Sequence, residues 1–214
     1  MPVTNLMDRF FGLDMLYRIP ALLIALTMHE LAHGLMAYRL GDNTAKQQGR
    51  LTLNPLKHLD PIGLLALWIV GFGWAKPVPV NPYNFKGNRR FGLFLVGLAG
   101  PLTNFVLAIL SALLLVTVPW RTTYLLAITQ LTFIYNVMLG VFNLLPLPPL
   151  DGSKVLQLFL PQRLAYHYLR FEQYGTLLLV LLIFTRLLER ILYPLADFVI
   201  SLLTTIVLFI IGIM

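Results

Sequence analysis

Of the chain's 214 residues, 58% are hydrophobic and only 12% charged, and the mean hydropathy is +0.78. Soluble domains carry about 25% charged residues, so the composition excludes an ordinary soluble domain and points to the lipid bilayer. The net charge of +7 brings no basic stripe with interleaved aromatics, which argues against nucleic acid; the lack of cysteine excludes disulfides and thiolate metal sites, leaving His, Asp and Glu as ligands.

The opening MPVTNLMDRFFGLDM lacks the basic region and clean apolar core of a cleavable signal. A spanning helix needs about 20 apolar residues. Ile19 to Tyr38 supplies 20, and its only ionisable groups are His29, Glu30 and His33. Loop 39–60 carries Arg39, Lys46, Arg50 and Lys57, and within it Gly49 to Pro55 alternates leucines with polar residues, as an extended stretch does. Ile62 to Trp74 is apolar but only 13 residues long, and reads as a re-entrant or interfacial segment. Ala75 to Pro82 has proline at alternate positions, which suits a sheet edge or hairpin arm. Loop 76–90 adds Lys76, Lys86, Arg89 and Arg90.

Phe91 to Pro119 and Thr122 to Leu150 are uncharged runs of 29 residues each. Segment 153–175 mixes apolar and basic residues, as an interfacial helix would. Tyr174 to Thr185 and Phe198 to Met214 read as two helices around a polar turn at Arg186, Glu189 and Arg190, the second beginning near Pro194. Basic residues concentrate in cytoplasmic loops. With loops 39–60 and 76–90 and segment 153–175 inside, eleven of the sixteen basic residues are cytoplasmic and the amino terminus is outside. The expected fold is an all-α polytopic transmembrane bundle of about five spanning helices plus a re-entrant or short β-hairpin segment. It forms one domain over 1–214, with a core at 19–155 and an interfacial segment and carboxy-terminal helices at 156–214.

His29 and His33 are one helical turn apart on one face, so two imidazoles there can grip one metal ion. Glu30 follows the first directly and can reach a metal-bound water without being a ligand, which is the logic of H-E-x-x-H. The bland alternative is a pair of core histidines, but each ionisable group in lipid costs about 2.5–3.5 kcal/mol, so such clusters carry function. Catalytic zinc takes three protein ligands. His58 and His167 lie in basic or interfacial segments and read as surface residues. Asp151, in NLLPLPPLDG (Asn143 to Gly152), is either an inward-facing carboxylate or the cap of the helix beginning at Ser153. In GLAGPLTN (Gly97 to Asn104) the glycines allow close helix approach, and the amide of Asn104 needs buried partners.

HELAH (His29 to His33), GPLTN (Gly100 to Asn104) and NLLPLPPLDG, in that order on three successive apolar segments, resemble the site-2 protease family of intramembrane zinc metalloproteases. FGWAKPVPVNP (Phe72 to Pro82) resembles its compact prokaryotic members, and FEQYG (Phe171 to Gly175) is a weaker echo. The resemblance covers roughly residues 19–155. It implies one Zn2+ per chain on His29, His33 and Asp151, with Glu30 activating the water. Asn143 would lie near the scissile carbonyl or oxyanion, and Asn104 would line the same cavity. The implied substrates are transmembrane proteins, cut in a prokaryotic cytoplasmic membrane from a site open to the cytoplasm. No PDZ or CBS domain is expected, nor a span before the HELAH helix. An extended substrate can pair with an edge strand, and Val78 and Val80 are the expected edge. Two other classes compete: a divalent-metal transporter, which has no use for Glu30, and a non-catalytic adaptor holding a structural metal.

Overall fold

The computed structural model describes residues 14–70 and 73–212. The opening stretch to residue 13, residues 71–72 within the short apolar run, and the last two residues of the Phe198 to Met214 run lie outside the described residues. Helix α1 (Asp14–Arg39) is followed by the one-turn α2 (Thr44–Gln47) and the short α3 (Pro61–Val70). Then come α4 (Arg89–Thr117), α5 (Thr123–Leu144), α6 (Asp151–Phe159), α7 (Gln162–Phe184) and α8 (Leu187–Ile210). Four of these, α1, α4, α5 and α8, are long and apolar enough to cross a membrane. The 23 residues of α7 include a shorter apolar half, Glu172–Phe184.

The centre of the bundle is α4, which packs against α1, α5, α6 and α8. Its sequence explains how it can touch so many neighbours. Gly92, Val96, Gly100, Asn104, Ala108 and Ala112 recur every four residues and are buried. On the opposite face Leu102, Val106, Leu110 and Leu114 are exposed. Small residues therefore face protein and large ones face outward, the arrangement expected where lipid is as apolar as leucine and close packing drives association. Helix α1 repeats the pattern: Ala21, Ala25, His29, His33 and Ala37 form one buried row. The two rows place both histidines against the narrowest part of α4. At the far end, Ala108, Ala112, Phe133, Val137, Ala196 and Leu203 join α4, α5 and α8 in one apolar core.

Several sequence expectations require correction. Segment 153–175 is not one interfacial helix: it breaks at Leu160 and Pro161, and the second part runs into the following apolar run as α7. Proline at 161 forbids the continuation. Helix α8 begins at Leu187, not near Pro194. Arg186 in a left-handed conformation (φ 55°) reverses the chain, and Pro194 sits inside the helix. No strand forms among the described residues in Gly49 to Pro55 or Ala75 to Pro82; one isolated bridge, Leu59 with Ala75, is all the β pairing there. His58 is not a surface residue. It is fully buried, with Nε2 donating to the Thr52 carbonyl at 2.8 Å. His167 is exposed.

Candidate metal centre

Three side chains from two elements meet in the buried interior. His29 Nε2 lies 3.1 Å from Asp151 Oδ2, His33 Nε2 lies 2.9 Å from the same oxygen, and the two Nε2 atoms are 2.9 Å apart. All three residues are buried. Asp151 is not the cap of its helix: Leu150 takes that position without a side-chain bond, and Asp151 opens the first turn with its carboxylate turned inward. The second oxygen, Oδ1, accepts from Lys154 Nζ at 2.8 Å. Burial pushes the Asp151 carboxyl up, and the ammonium of Lys154 beside Oδ1 pulls it down in favour of the anion. It stays an anion.

The tautomers follow from the outer partners. Asn104 Nδ2 faces the Ala25 carbonyl at 3.2 Å and Asn136 Oδ1 at 2.8 Å, and Asn136 Nδ2 donates to the Thr132 carbonyl at 2.8 Å. A carbonyl only accepts, so the Asn104 amide is fixed with Oδ1 toward His29, and His29 Nδ1–H donates to it at 2.6 Å. His33 Nδ1–H donates to the Val96 carbonyl at 2.7 Å. With both Nδ1 atoms protonated, each neutral ring turns a bare Nε2 lone pair toward the other and toward a carboxylate oxygen. One shared proton relieves only one of these three contacts. A cation relieves all of them, and three atoms about 3 Å apart have a common point about 2 Å from each, the length of a zinc–ligand bond. The donor set therefore fits zinc.

Gly100 makes room for the rings. A Cβ there would lie 2.4 Å from His33 Nε2 and 2.6 Å from His29 Cε1. Gly97, one turn away, lets α6 approach: its Cβ would meet the Asp151 carbonyl oxygen and Lys154 Cβ at 3.0 Å. The GLAGP stretch thus admits the imidazoles on one side and the Asp151 backbone on the other.

Residues 17–125 and 119–185 match the family model of peptidase family M50. The chain is 42% identical over 202 residues to "Putative zinc metalloprotease YwhC" of Bacillus subtilis (strain 168), spanning 89% of this chain and 92% of that one. It is 34% identical over 175 residues to "Putative zinc metalloprotease Rip2" of Mycolicibacterium smegmatis, with 78% and 66% covered. "Zinc metalloprotease MJ0392" of Methanocaldococcus jannaschii is 27% identical over 150 residues, with 68% and 34% covered. No solved structure matches. The chain belongs to peptidase family M50, the site-2 protease family. It is an integral membrane protein and a zinc metallopeptidase of that type.

In this M50 chain Glu30 is half-buried, and its Oε2 accepts from the Val78 N–H at 2.8 Å. The HELAH helix is thereby joined to the Ala75 to Pro82 segment. That segment is held along its length: Lys76 N–H donates to the His58 carbonyl at 2.8 Å, Arg50 Nη2 donates to the Lys76 carbonyl at 2.7 Å, and Asn81 N–H donates to Asp42 Oδ2 at 2.6 Å. Val78 is buried, its methyl 3.1 Å from where a Cβ on Gly34 would stand, while Val80 is half-buried. Asn143 does not join the cluster by a hydrogen bond; its Nδ2 donates to the Leu139 carbonyl of its own helix at 3.1 Å. Two contributors escaped the sequence reading. Asn136 carried the same signal as Asn104, an amide inside an apolar run. Lys154 carried none beyond its spacing from Asp151.

Proposed function

We propose that this peptidase cuts peptide bonds in or near the transmembrane segments of membrane proteins. His29, His33 and Asp151 hold one zinc ion, and Glu30 is the general base. The observation that carries the reading is the convergence of two imidazole Nε2 atoms and a carboxylate within 3.1 Å, beside a glutamate that is not one of the three. Bound there, zinc supplies a Lewis acid that polarises the scissile carbonyl and makes the attacking water more acidic. Glu30 accepts the proton of that water and returns it to the leaving amine. Asn104 and the Val96 carbonyl fix the two imidazole tautomers. Lys154 occupies Asp151 Oδ1 and leaves Oδ2 as the ligand.

A helical substrate hides its peptide bonds and has to unwind before it is cut. The segment Ala75 to Pro82 supports an edge reading, with a refinement. Pro77 and Pro79 have no N–H, and the N–H groups of Lys76 and Val78 are engaged by His58 and Glu30. In an extended chain alternate residues face opposite edges. A substrate would therefore pair through the Val78 and Val80 carbonyls, beside the N–H that Glu30 already holds. Asn143, in the last turn of α5, is proposed to turn toward the substrate carbonyl only when substrate is bound. His33 is six residues from Arg39, or about 9 Å of helix. This supports a site reached by water from the basic, cytoplasmic face.

The test is cleavage of a transmembrane model substrate by purified protein that has been stripped of metal and reloaded. Cleavage should vanish on chelation and return with zinc, and mass spectrometry should place the cut inside or within a turn of the apolar segment. Cleavage that persists in metal-free protein would overturn the reading.

A further inference from the structure

An apolar cavity of about 350 Å3 lies beside the catalytic helix. Ala25 and Leu26 of α1 form part of its lining, four residues before His29 and Glu30, or about 6 Å along the helix. Leu64 of α3, Trp74, Met138 of α5 and Leu192 of α8 also line it. No charged side chain lines it.

Two observations tie this cavity to the reaction rather than to lipid at large. First, α3 and Trp74 form one wall: a Cβ on Gly63 would fall 2.1 Å from the Trp74 carbonyl oxygen, so only glycine permits that contact. Second, the wall continues into the segment that touches Glu30. Ala75, which also lines the cavity, bridges to Leu59, and Val78 N–H is bonded to Glu30. At about 3.3 Å per extended residue, Trp74 and Ala75 stand about 10–13 Å from Val78. Along α1 the lining thus begins about 6 Å from Glu30, and along the chain it lies at most about 10–13 Å from Val78, whose N–H is bonded to Glu30, a span of two to four residues of extended peptide.

We propose that this cavity is a substrate subsite, which takes a large apolar side chain (Leu, Phe or Met) two to four residues from the scissile bond. The short helix α3, which is too short to span, serves as its wall. The proposal rests on the peptidase reading of the metal centre. A lipid acyl chain has similar chemistry, but the cavity's continuity with the Glu30-bound segment favours the substrate. Within the bilayer neither an acyl chain nor a side chain gains a strong hydrophobic drive toward an apolar pocket, so shape and packing decide what it selects.

The experiment uses the full chain and a transmembrane model substrate carrying Ala, Leu or Phe at each of four positions on either side of the cut. Wild type should prefer Leu or Phe over Ala by tenfold or more in kcat/KM at one position two to four residues from the cut. Leu64→Trp and Met138→Trp, which fill the cavity, should each reduce that ratio to within about twofold of unity. The ratio is taken within each variant, so a general loss of folded protein cancels. A ratio unchanged in both variants, or no preference in that window, overturns the proposal. Independently, a photocrosslinker at position 64 in the Glu30→Gln background should label the substrate at those residues; adducts to lipid alone overturn it. If wild type with bound zinc cuts no member of the series, the peptidase reading itself fails, and the crosslink alone decides what the cavity holds.

Discussion

Replacing Gly100 by alanine would set a methyl group 2.4 Å from His33 Nε2, 2.6 Å from His29 Cε1 and 2.7 Å from His33 Cε1. Ordinary contact begins near 3.4 Å, so each ring has to retreat by about 1 Å or α4 has to back away from α1. Neither imidazole is free to yield. His29 is pinned at Nδ1 by Asn104 at 2.6 Å, and His33 by the Val96 carbonyl at 2.7 Å. Overpacking a close-packed interior costs about 1–3 kcal/mol. If that cost falls on the metal-holding geometry, zinc affinity drops roughly tenfold to a hundredfold, at 1.4 kcal/mol per decade. Chelator competition on purified protein measures it directly. Gly97→Ala is the graded control. Its contacts begin at 3.0 Å, which a shift of a few tenths of an ångström relieves, and its zinc affinity should stay within a few-fold of wild type. A Gly100→Ala protein with zinc affinity within twofold of wild type would refute the reasoning, because the imidazoles would then not be seated against α4.

Three further outcomes are expected. Asn136→Leu removes the acceptor that helps orient Asn104, so zinc affinity should fall about tenfold, within the range for outer partners of a metal site, while Asn104→Leu should cost more in the same chelator assay. Val78→Pro deletes the N–H that holds Glu30 at 2.8 Å without adding a charge; kcat should fall tenfold or more at unchanged zinc content, read by single-turnover cleavage. Asp42 accepts from the Thr44 and Asn81 N–H groups and from Asn84 Nδ2. Burial pushes its carboxyl up, but the hydrogen bonds from Thr44, Asn84 and Asn81 prevail and hold it below its ordinary value. Because the folded value is the lowered one, its stabilisation is full above about pH 4 and is lost as pH falls through the folded value. The thermal midpoint of wild type should therefore fall more steeply below pH 4 than that of Asp42→Asn.

The chemistry of the site was legible in the sequence because ionisable and amide groups inside apolar runs are expensive and so stand out. That signal marks His29, Glu30, His33 and Asn104 against an oily background, and Asn136 carries it too. Asp151 was ambiguous, since an aspartate before a short helix caps it as readily as it binds metal. Only the seating of Leu150 at the cap position separates the two. The helix order and the spans of α1, α4 and α5 followed from run length. The ends of α7 and α8 did not. Pro161 was a readable stop, but the left-handed Arg186 that starts α8 depends on tertiary context. The burial of His58 was invisible for the same reason: it comes from loop residues Thr52 and Pro55 folding over it, and a charged loop composition says nothing of that. Alternating prolines at 77 and 79 suggested a strand edge, and the chain there is held instead by Glu30, Arg50, His58 and Asp42.

The most direct measurement is zinc content and cleavage of a transmembrane substrate by wild type and Glu30→Gln, purified and assayed side by side. About one zinc per chain is expected in both proteins, with a loss of cleavage of roughly a hundredfold to ten-thousandfold in the variant, the usual contribution of a positioned general base. A Glu30→Gln protein that keeps its zinc and cuts at the wild-type rate would contradict that role.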